Sequence, residues 1–282
     1  MPVANVLVLG GSGVGKTHYA GQLLGRLRND RKGKLSLVPG GVDDYSKLEE
    51  VLSCLENGRA AGHTSTETWT GTKCKMQTEK GEEILLEWPE YAGERLLSII
   101  ERRLISDNWR QSINAAKGWL LLLRPSMLKQ PEDLLVRPVG ESIPTGSQDP
   151  TDIQNSLWAD QARYVELLQM LLFASGRSTF SKASAPRLAI VLSCWDELDT
   201  NRIPEEELSM RMPLLNAFVG SNWQPQSWSV WGLSSLGKAL SQDNSDDEFV
   251  MQGPEKFGYV VLPGTPDRNN DLTEPVNWLL KV

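Results

Sequence analysis

The sequence predicts a three-layer α/β domain: a mostly parallel sheet with helices on both faces, one antiparallel β-hairpin and a helical insertion. Three observations carry this. An apolar run ends in a glycine-rich loop that opens a helix ("LVLGGSGVGKTHYAGQLL"), and further apolar runs alternate with amphipathic stretches along most of the chain. Two strand-like segments near residue 80 are joined by a turn too short for anything but an antiparallel pairing.

At the start, Leu7, Val8 and Leu9 form an apolar run closed by Gly10 and Gly11, and Ala20, Leu23 and Leu24 then recur at helical spacing. The loop between them fits G-x-x-x-x-G-K-[ST] with Gly10, Gly15, Lys16 and Thr17. Its glycines leave backbone N–H groups uncovered. Gly10, Gly11, Ser12, Gly13, Val14, Gly15, Lys16, Thr17 and His18 can therefore wrap a phosphate at the positive end of the helix dipole. Lys16 adds a point charge for the β- and γ-phosphates, and the Thr17 hydroxyl is a ligand for Mg²⁺.

Residues 44–56 place Leu48, Val51, Leu52 and Leu55 on one face of a short helix. Residues 68–77 alternate, with Thr70, Thr72, Cys74 and Met76 facing one way and Trp69, Lys73 and Lys75 the other. "EEILLEW" follows after "TEKG", which gives the hairpin. Downstream, "GERLLSIIERRL" reads as an amphipathic helix, "GWLLLLRP", "RLAIVLSCWD" and "SWSVWGLSS" as buried strands, and "TEPVNWLLKV" as a closing helix. Residues 126–186, rich in proline and polar residues around a helix near 155–174, read as an insertion into one domain spanning 1–282. The acidic stretch 240–257 reads as a solvated loop.

Composition narrows the chemistry. A net charge of −7, a pI near 5.1 and no local Lys/Arg cluster argue against direct nucleic-acid binding and against an anionic membrane surface. Three cysteines without a C-x-x-C pair and only two histidines suggest neither a disulfide framework nor a Cys/His zinc site, and Mg²⁺ is the one metal expected. No window holds eighteen consecutive apolar residues and no targeting segment is recognisable, so cytoplasmic residence without membrane insertion is expected. Trp69, Trp88, Trp119, Trp195, Trp228 and Trp231 sit in or beside strand-like runs, where core packing accounts for most of the tryptophans and an exposed subset is left as the alternative for a partner surface.

Further motifs follow the phosphate loop in order. "ILLEWPEYAGER" offers Glu87 and Glu90 at a strand end, and Glu90-Tyr91-Ala92-Gly93-Glu94 resembles the D-x-x-G-Q/E motif of guanine-nucleotide switch proteins. That resemblance implies that Glu90 holds Mg²⁺ through water, that the Gly93 N–H senses the γ-phosphate and that Glu94 orients the attacking water. Glutamate in place of aspartate at position 90 lengthens the reach to the metal by one methylene. "VLSCWDEL" resembles N/T-K-x-D through Ser193, Cys194, Trp195 and Asp196, with the acid kept and the lysine replaced by Cys194. A carboxylate can accept from both N1 and N2 of guanine, a donor pair that adenine lacks. The structural alternative for Asp196 is a helix N-cap. Ser234-Ser235-Leu236 is similar to the S-A-K/L motif, which would bring the Ser235 N–H to guanine O6. Thr64, or failing it Thr66, stands where such proteins close a threonine on Mg²⁺ and the γ-phosphate.

Together these motifs resemble a TRAFAC-class P-loop GTPase, most like the bacterial double-GTPase group. The resemblance implies a Ras-like fold, GTP/GDP and Mg²⁺ as ligands, and a switch that gates a protein partner or second protomer in a bacterial defence or conflict system. Glu94, a carboxylate facing an anionic phosphate, implies slow turnover until a partner supplies positive charge. Two other readings stay open, a nucleotide-holding structural subunit without turnover and a P-loop ATPase; the hairpin and Asp196 speak against the second.

Overall fold

The computed structural model describes residues 4–29, 33–42, 46–62, 72–88, 93–128, 160–177 and 181–281. Its strands are β1 (Ala4–Leu9), β2 (Leu35–Val42), β3 (Thr72–Thr78), β4 (Glu83–Trp88), β5 (Ala116–Leu123), β6 (Arg187–Ser193), β7 (Trp228–Ser234), β8 (Tyr259–Val261) and β9 (Arg268–Asn269). The helices are α1 (Lys16–Asn29), α2 (Ser46–Glu56), α3 (Gly93–Arg102), α4 (Asp107–Ala115), α5 (Asp160–Ala174), α6 (Pro204–Arg211), α7 (Pro213–Asn222), α8 (Asp247–Gln252) and α9 (Glu274–Leu280).

The strands form one sheet in the order β2-β3-β4-β1-β5-β6-β7-β8-β9. The five central strands, β4 to β7 in space, are mutually parallel, and both flanks are antiparallel. The hairpin read from the sequence is β3–β4, registered from Thr72 opposite Trp88 to Gln77 opposite Glu83. Its inward residues Thr72, Cys74 and Met76 are buried as the alternation requires. A hairpin beside the first strand, where an all-parallel sheet would need a helical crossover, makes this the Ras-like arrangement.

Strands with both faces covered are apolar throughout, and their period of two sorts the side chains between two cores. Val6, Val8, Leu120, Leu122, Ala189 and Val191 pack under α1, α2 and α9. Leu7, Leu9, Trp119, Leu121, Leu188 and Ile190 face α3 to α7. The helix in the stretch read as an insertion contributes Leu167, Leu168, Leu171 and Leu172 to this second core, while residues 129–159 and 178–180 lie outside the described residues. Trp88, Trp119, Trp195 and Trp231 are buried and Trp228 is half-buried; Trp69 lies outside the described residues.

The phosphate-loop helix is fixed from two sides. Gly21 lets α2 approach closely, since a Cβ there would lie 2.4 Å from Cγ1 of Val51. On its other side α1 donates a column of hydrogen bonds to the C-terminal segment: Tyr19 to the Leu272 carbonyl (2.9 Å), Gln22 to that of Phe257 (2.9 Å) and Arg26 to that of Gly258 (2.9 Å). The loop reading of 240–257 is corrected. The stretch contains α8, where Asp246 caps the N-terminus by accepting from the Phe249 N–H (2.9 Å) and the single aromatic Phe249 is fully buried. One buried anchor suffices for a short helix, which a charge-based reading passes over. No described helix is long and apolar enough to cross a membrane.

Candidate nucleotide-binding site

Ligands of parallel α/β sheets bind beyond the carboxyl ends of the strands, and all five central strands meet here at one such place. A cavity of about 400 Å³ is lined by the loop after β1, Trp88 at the end of β4, Arg124 after β5, Ser193 at the end of β6 with Cys194, Asp196 and Glu197 after it, and Ser235 and Leu236 after β7. The phosphate loop and the two base-motif segments, up to 226 positions apart between Gly10 and Leu236, are thus walls of one cavity.

Gly10 adopts φ +149°, and a Cβ on it would come within 2.8 Å of the Leu122 carbonyl oxygen, so only glycine fits. Ser12, Gly13, Val14, Gly15, Lys16, Thr17 and His18 line the cavity, with Gly10 and Gly11 directly behind them. The Lys16 ammonium donates to the carbonyls of Gly10 (2.8 Å) and Gly11, folded over the loop it serves. Burial lowers its pKa to about 8, so an arriving phosphate would stabilise its charged form. Thr17, next in the chain, also lines the cavity. His18 Nε2 accepts a hydrogen bond from the Ala61 N–H (3.1 Å); burial, and secondarily Arg124, lower its pKa, which keeps the ring neutral and able to accept.

On the base side, Ser193 does not reach into the cavity with its hydroxyl, which donates to the Leu123 carbonyl (3.0 Å) and ties β6 to β5. Cys194 takes the left-handed conformation (φ +51°) and turns the chain into a short 3₁₀ turn over Trp195–Glu197. Within that turn Trp195 is buried and Asp196 is exposed on the cavity wall. The N-cap alternative for Asp196 is not what is observed: α6 begins at Pro204 and its capping position is Ile203. Ser234 is fully buried and accepts from the Gly237 N–H (2.8 Å), so it shapes the turn that presents Ser235 and Leu236 instead of lining the cavity itself.

Thr64, Thr66 and Glu90 lie outside the described residues, and Gly93 and Glu94 are the first two residues of α3. Glu87, the other acid considered, is buried and engaged elsewhere, accepting from the Ser112 hydroxyl (2.7 Å) with Lys73 3.9 Å away. Two parts of the wall were not read from the sequence. Arg124 donates to the Gly13 carbonyl (3.1 Å) and pairs with Glu197 through Nε (3.0 Å) and Nη2. Ala60–Gly62 form the rim opposite Leu236–Gln242, joined by an Ala60 N–H to Ser241 carbonyl bond of 2.9 Å. The available signal for Arg124 was a lone cation closing the apolar run "GWLLLLRP" at a strand's carboxyl end.

Comparison with known proteins decides the family. The family model Double-GTPase 1 matches residues 7–279, nearly the whole chain. The chain belongs to the Double-GTPase 1 family. This agrees with the TRAFAC-class P-loop GTPase resemblance carried by its motifs. No functionally curated protein matches this double-GTPase chain. Among solved structures it is similar to the bacterial selenocysteine-specific elongation factor EF-Sec, at 14% identity and TM-score 0.36, over 83% of this chain and 26% of that one. It is also similar to the small GTPase Arl6 BBS3 of Trypanosoma brucei (9% identity, TM-score 0.40, 83% and 87% covered). A third is the GTP-bound Ski7 GTPase-like domain of S. cerevisiae (15% identity, TM-score 0.41, 89% and 49% covered). The chain thus spans about a quarter of the elongation factor and about half of the Ski7 chain.

Proposed function

We propose that this double-GTPase-family chain binds GTP in the cavity described above and hydrolyses it as a molecular switch. The observation that carries the reading is the convergence, in one cavity, of the phosphate loop with an exposed carboxylate at the end of β6 and the Ser235–Leu236 turn at the end of β7. The backbone N–H groups of the loop cradle the phosphates and Lys16 neutralises the β/γ pair. Asp196 accepts from guanine N1 and N2, and the Ser235 N–H donates to O6. Thr17, on the cavity wall beside Lys16, would hold Mg²⁺ through its hydroxyl, a neutral oxygen of the kind a hard cation takes. Bound there, Mg²⁺ would supply positive charge that offsets the charge of the phosphates.

In the same reading Glu90 is the acid that approaches Mg²⁺ through water, Thr64 (or Thr66) and the Gly93 N–H close on the γ-phosphate, and Glu94 faces the attacking water. A carboxylate there repels the phosphate, so turnover is slow until a protein partner or second protomer contributes a cation. The partner's setting, a bacterial defence or conflict system, rests on the motif resemblance alone.

Equilibrium binding of GTP, GDP and ATP with Mg²⁺ to the parent and to Lys16→Ala tests the core of this. GTP preferred over ATP, with affinity lost by about a hundredfold or more in Lys16→Ala, supports it; parent-like affinity in the variant ends it.

A further inference from the structure

Resting on that reading of the site, the geometry points to Arg124 as the residue that locks the base-reading turn to the phosphate loop. A turn that reads a base must hold its carboxylate at a fixed distance from the phosphate cradle, or a nucleotide cannot satisfy both ends at once. The turn carrying Asp196 begins at Cys194, whose Sγ lies only 3.8 Å from where a Cβ on Gly15 would stand. Position 194 therefore faces the phosphate loop, but a thiol is a weak donor with no charge to bridge the gap. Burial raises that thiol's pKa to about 11, so it stays protonated.

Arg124 supplies the bridge from a different strand. Its Nη1 donates to the Gly13 carbonyl of the phosphate loop (3.1 Å), while Nε (3.0 Å) and Nη2 make a two-pronged contact with Glu197, the neighbour of Asp196. Ser126 donates its hydroxyl to the same carboxylate. Glu197 is thereby fixed by three hydrogen bonds, and of the two carboxylates that line the cavity Asp196 is the one with no hydrogen bond to a described residue. The planar fork is what makes this work: a guanidinium can serve a carboxylate and a carbonyl at once in fixed directions, which an ammonium cannot. Arg124 is a positioning residue, acting on base selection through Glu197.

The test is equilibrium binding of GTP and ITP to the full chain and to Arg124→Ala, Glu197→Ala and the double variant, with turnover measured at saturating GTP. ITP lacks the 2-amino group, so the ratio of GTP to ITP affinity reports the contact at Asp196. Arg124→Ala should lower that ratio by about tenfold. Glu197→Ala should reproduce the loss, and the double variant should be no worse than either single change, because both remove one linkage. Arg124→Lys, which keeps stem and charge but not the fork, should recover only part of the ratio and keeps the test readable if the alanine variant fails to fold. An unchanged ratio with the loss confined to turnover, or additive losses in the double variant, overturns the inference. A parent that does not prefer GTP over ATP instead defeats the GTP reading; the brace is then judged by the same 124–197 coupling in affinity for the nucleotide that binds.

Discussion

His18, immediately after the phosphate-loop threonine, accepts the N–H of Ala61 on its Nε2 at 3.1 Å, and so ties the loop to the chain segment that leads toward Thr64. The same segment is held to the far rim of the cavity by three more bonds. Ala60 N–H donates to the Ser241 carbonyl (2.9 Å), Asp246 N–H to the Gly58 carbonyl (3.0 Å) and the Ser245 hydroxyl to the Asn57 carbonyl (2.8 Å). His18→Phe keeps an aromatic ring at this position and removes the acceptor, leaving the Ala61 N–H unpaired at a cost of about 1–3 kcal/mol. The expected outcome is faster nucleotide dissociation, by roughly five- to tenfold, measured by displacement of a fluorescent nucleotide. Parent-like dissociation would show that the rim closes without this bond.

Most of the sheet was legible because its strands are buried on both faces and its turns carry glycine. β2 was not: Pro39, Gly40 and Gly41 interrupt it, and its register shifts between Leu37 and Val42, which is how an edge strand tolerates residues that a central strand excludes. β8 and β9, at three and two residues, are too short to show a period. α6 and α7 each begin with proline at the first helical position, where its missing N–H would be unpaired in any case, so a residue that breaks helices elsewhere starts them here. At the site, the phosphate loop was legible because every element of it is local. Arg124 and the Ala60–Gly62 rim were not, because their role exists only once β5, β6 and the segment after α2 are brought to the same cavity.

The proposed reading gives base selection to Asp196, and its exposed place on the cavity wall makes the test direct. Asp196→Asn replaces one acceptor with a donor, which suits the carbonyl that xanthine carries where guanine has its amino group. GTP affinity should fall by about tenfold or more while that for xanthosine triphosphate rises. If the variant binds both nucleotides as the parent does, another residue selects the base.

Acid stability should depend on Glu207. It is fully buried in α6 and accepts from Arg211 Nε (2.6 Å), the Thr200 hydroxyl (2.5 Å) and Arg202 Nη1 (3.3 Å), which fastens the loop after the Trp195–Glu197 turn to the helix. Burial by itself would raise the carboxyl's pKa, but the bonds from Arg211 and Thr200 and the charge of Arg211 outweigh it and leave it below the ordinary 4.5. A carboxylate held below its unfolded value contributes stability that is present above that value and lost as pH falls through the folded one. Glu207→Gln should therefore cost about 2 kcal/mol at neutral pH, and its Tm should fall less steeply than the parent's on acidification below about pH 4.5. Parallel Tm profiles would place the acid transition elsewhere.

The last prediction asks whether the lysine that the base motif lacks can be restored. Position 194 faces Gly15, so a lysine there would extend along the phosphate loop into the space that the Arg124 guanidinium now holds beside Gly13. Two cations confined in that space repel each other and compete for the same carbonyl. Cys194→Lys alone should therefore weaken GTP binding by roughly three- to tenfold, although it completes the motif. With Arg124 removed the repulsion is gone and the carbonyl is free to accept. Arg124→Ala with Cys194→Lys together should then bind GTP more tightly than Arg124→Ala alone, a reversal of sign between the two backgrounds. Titration of the four proteins with GTP at one ionic strength measures it, and a lysine that weakens or strengthens binding equally in both backgrounds would mean that residues 124 and 194 do not share a task.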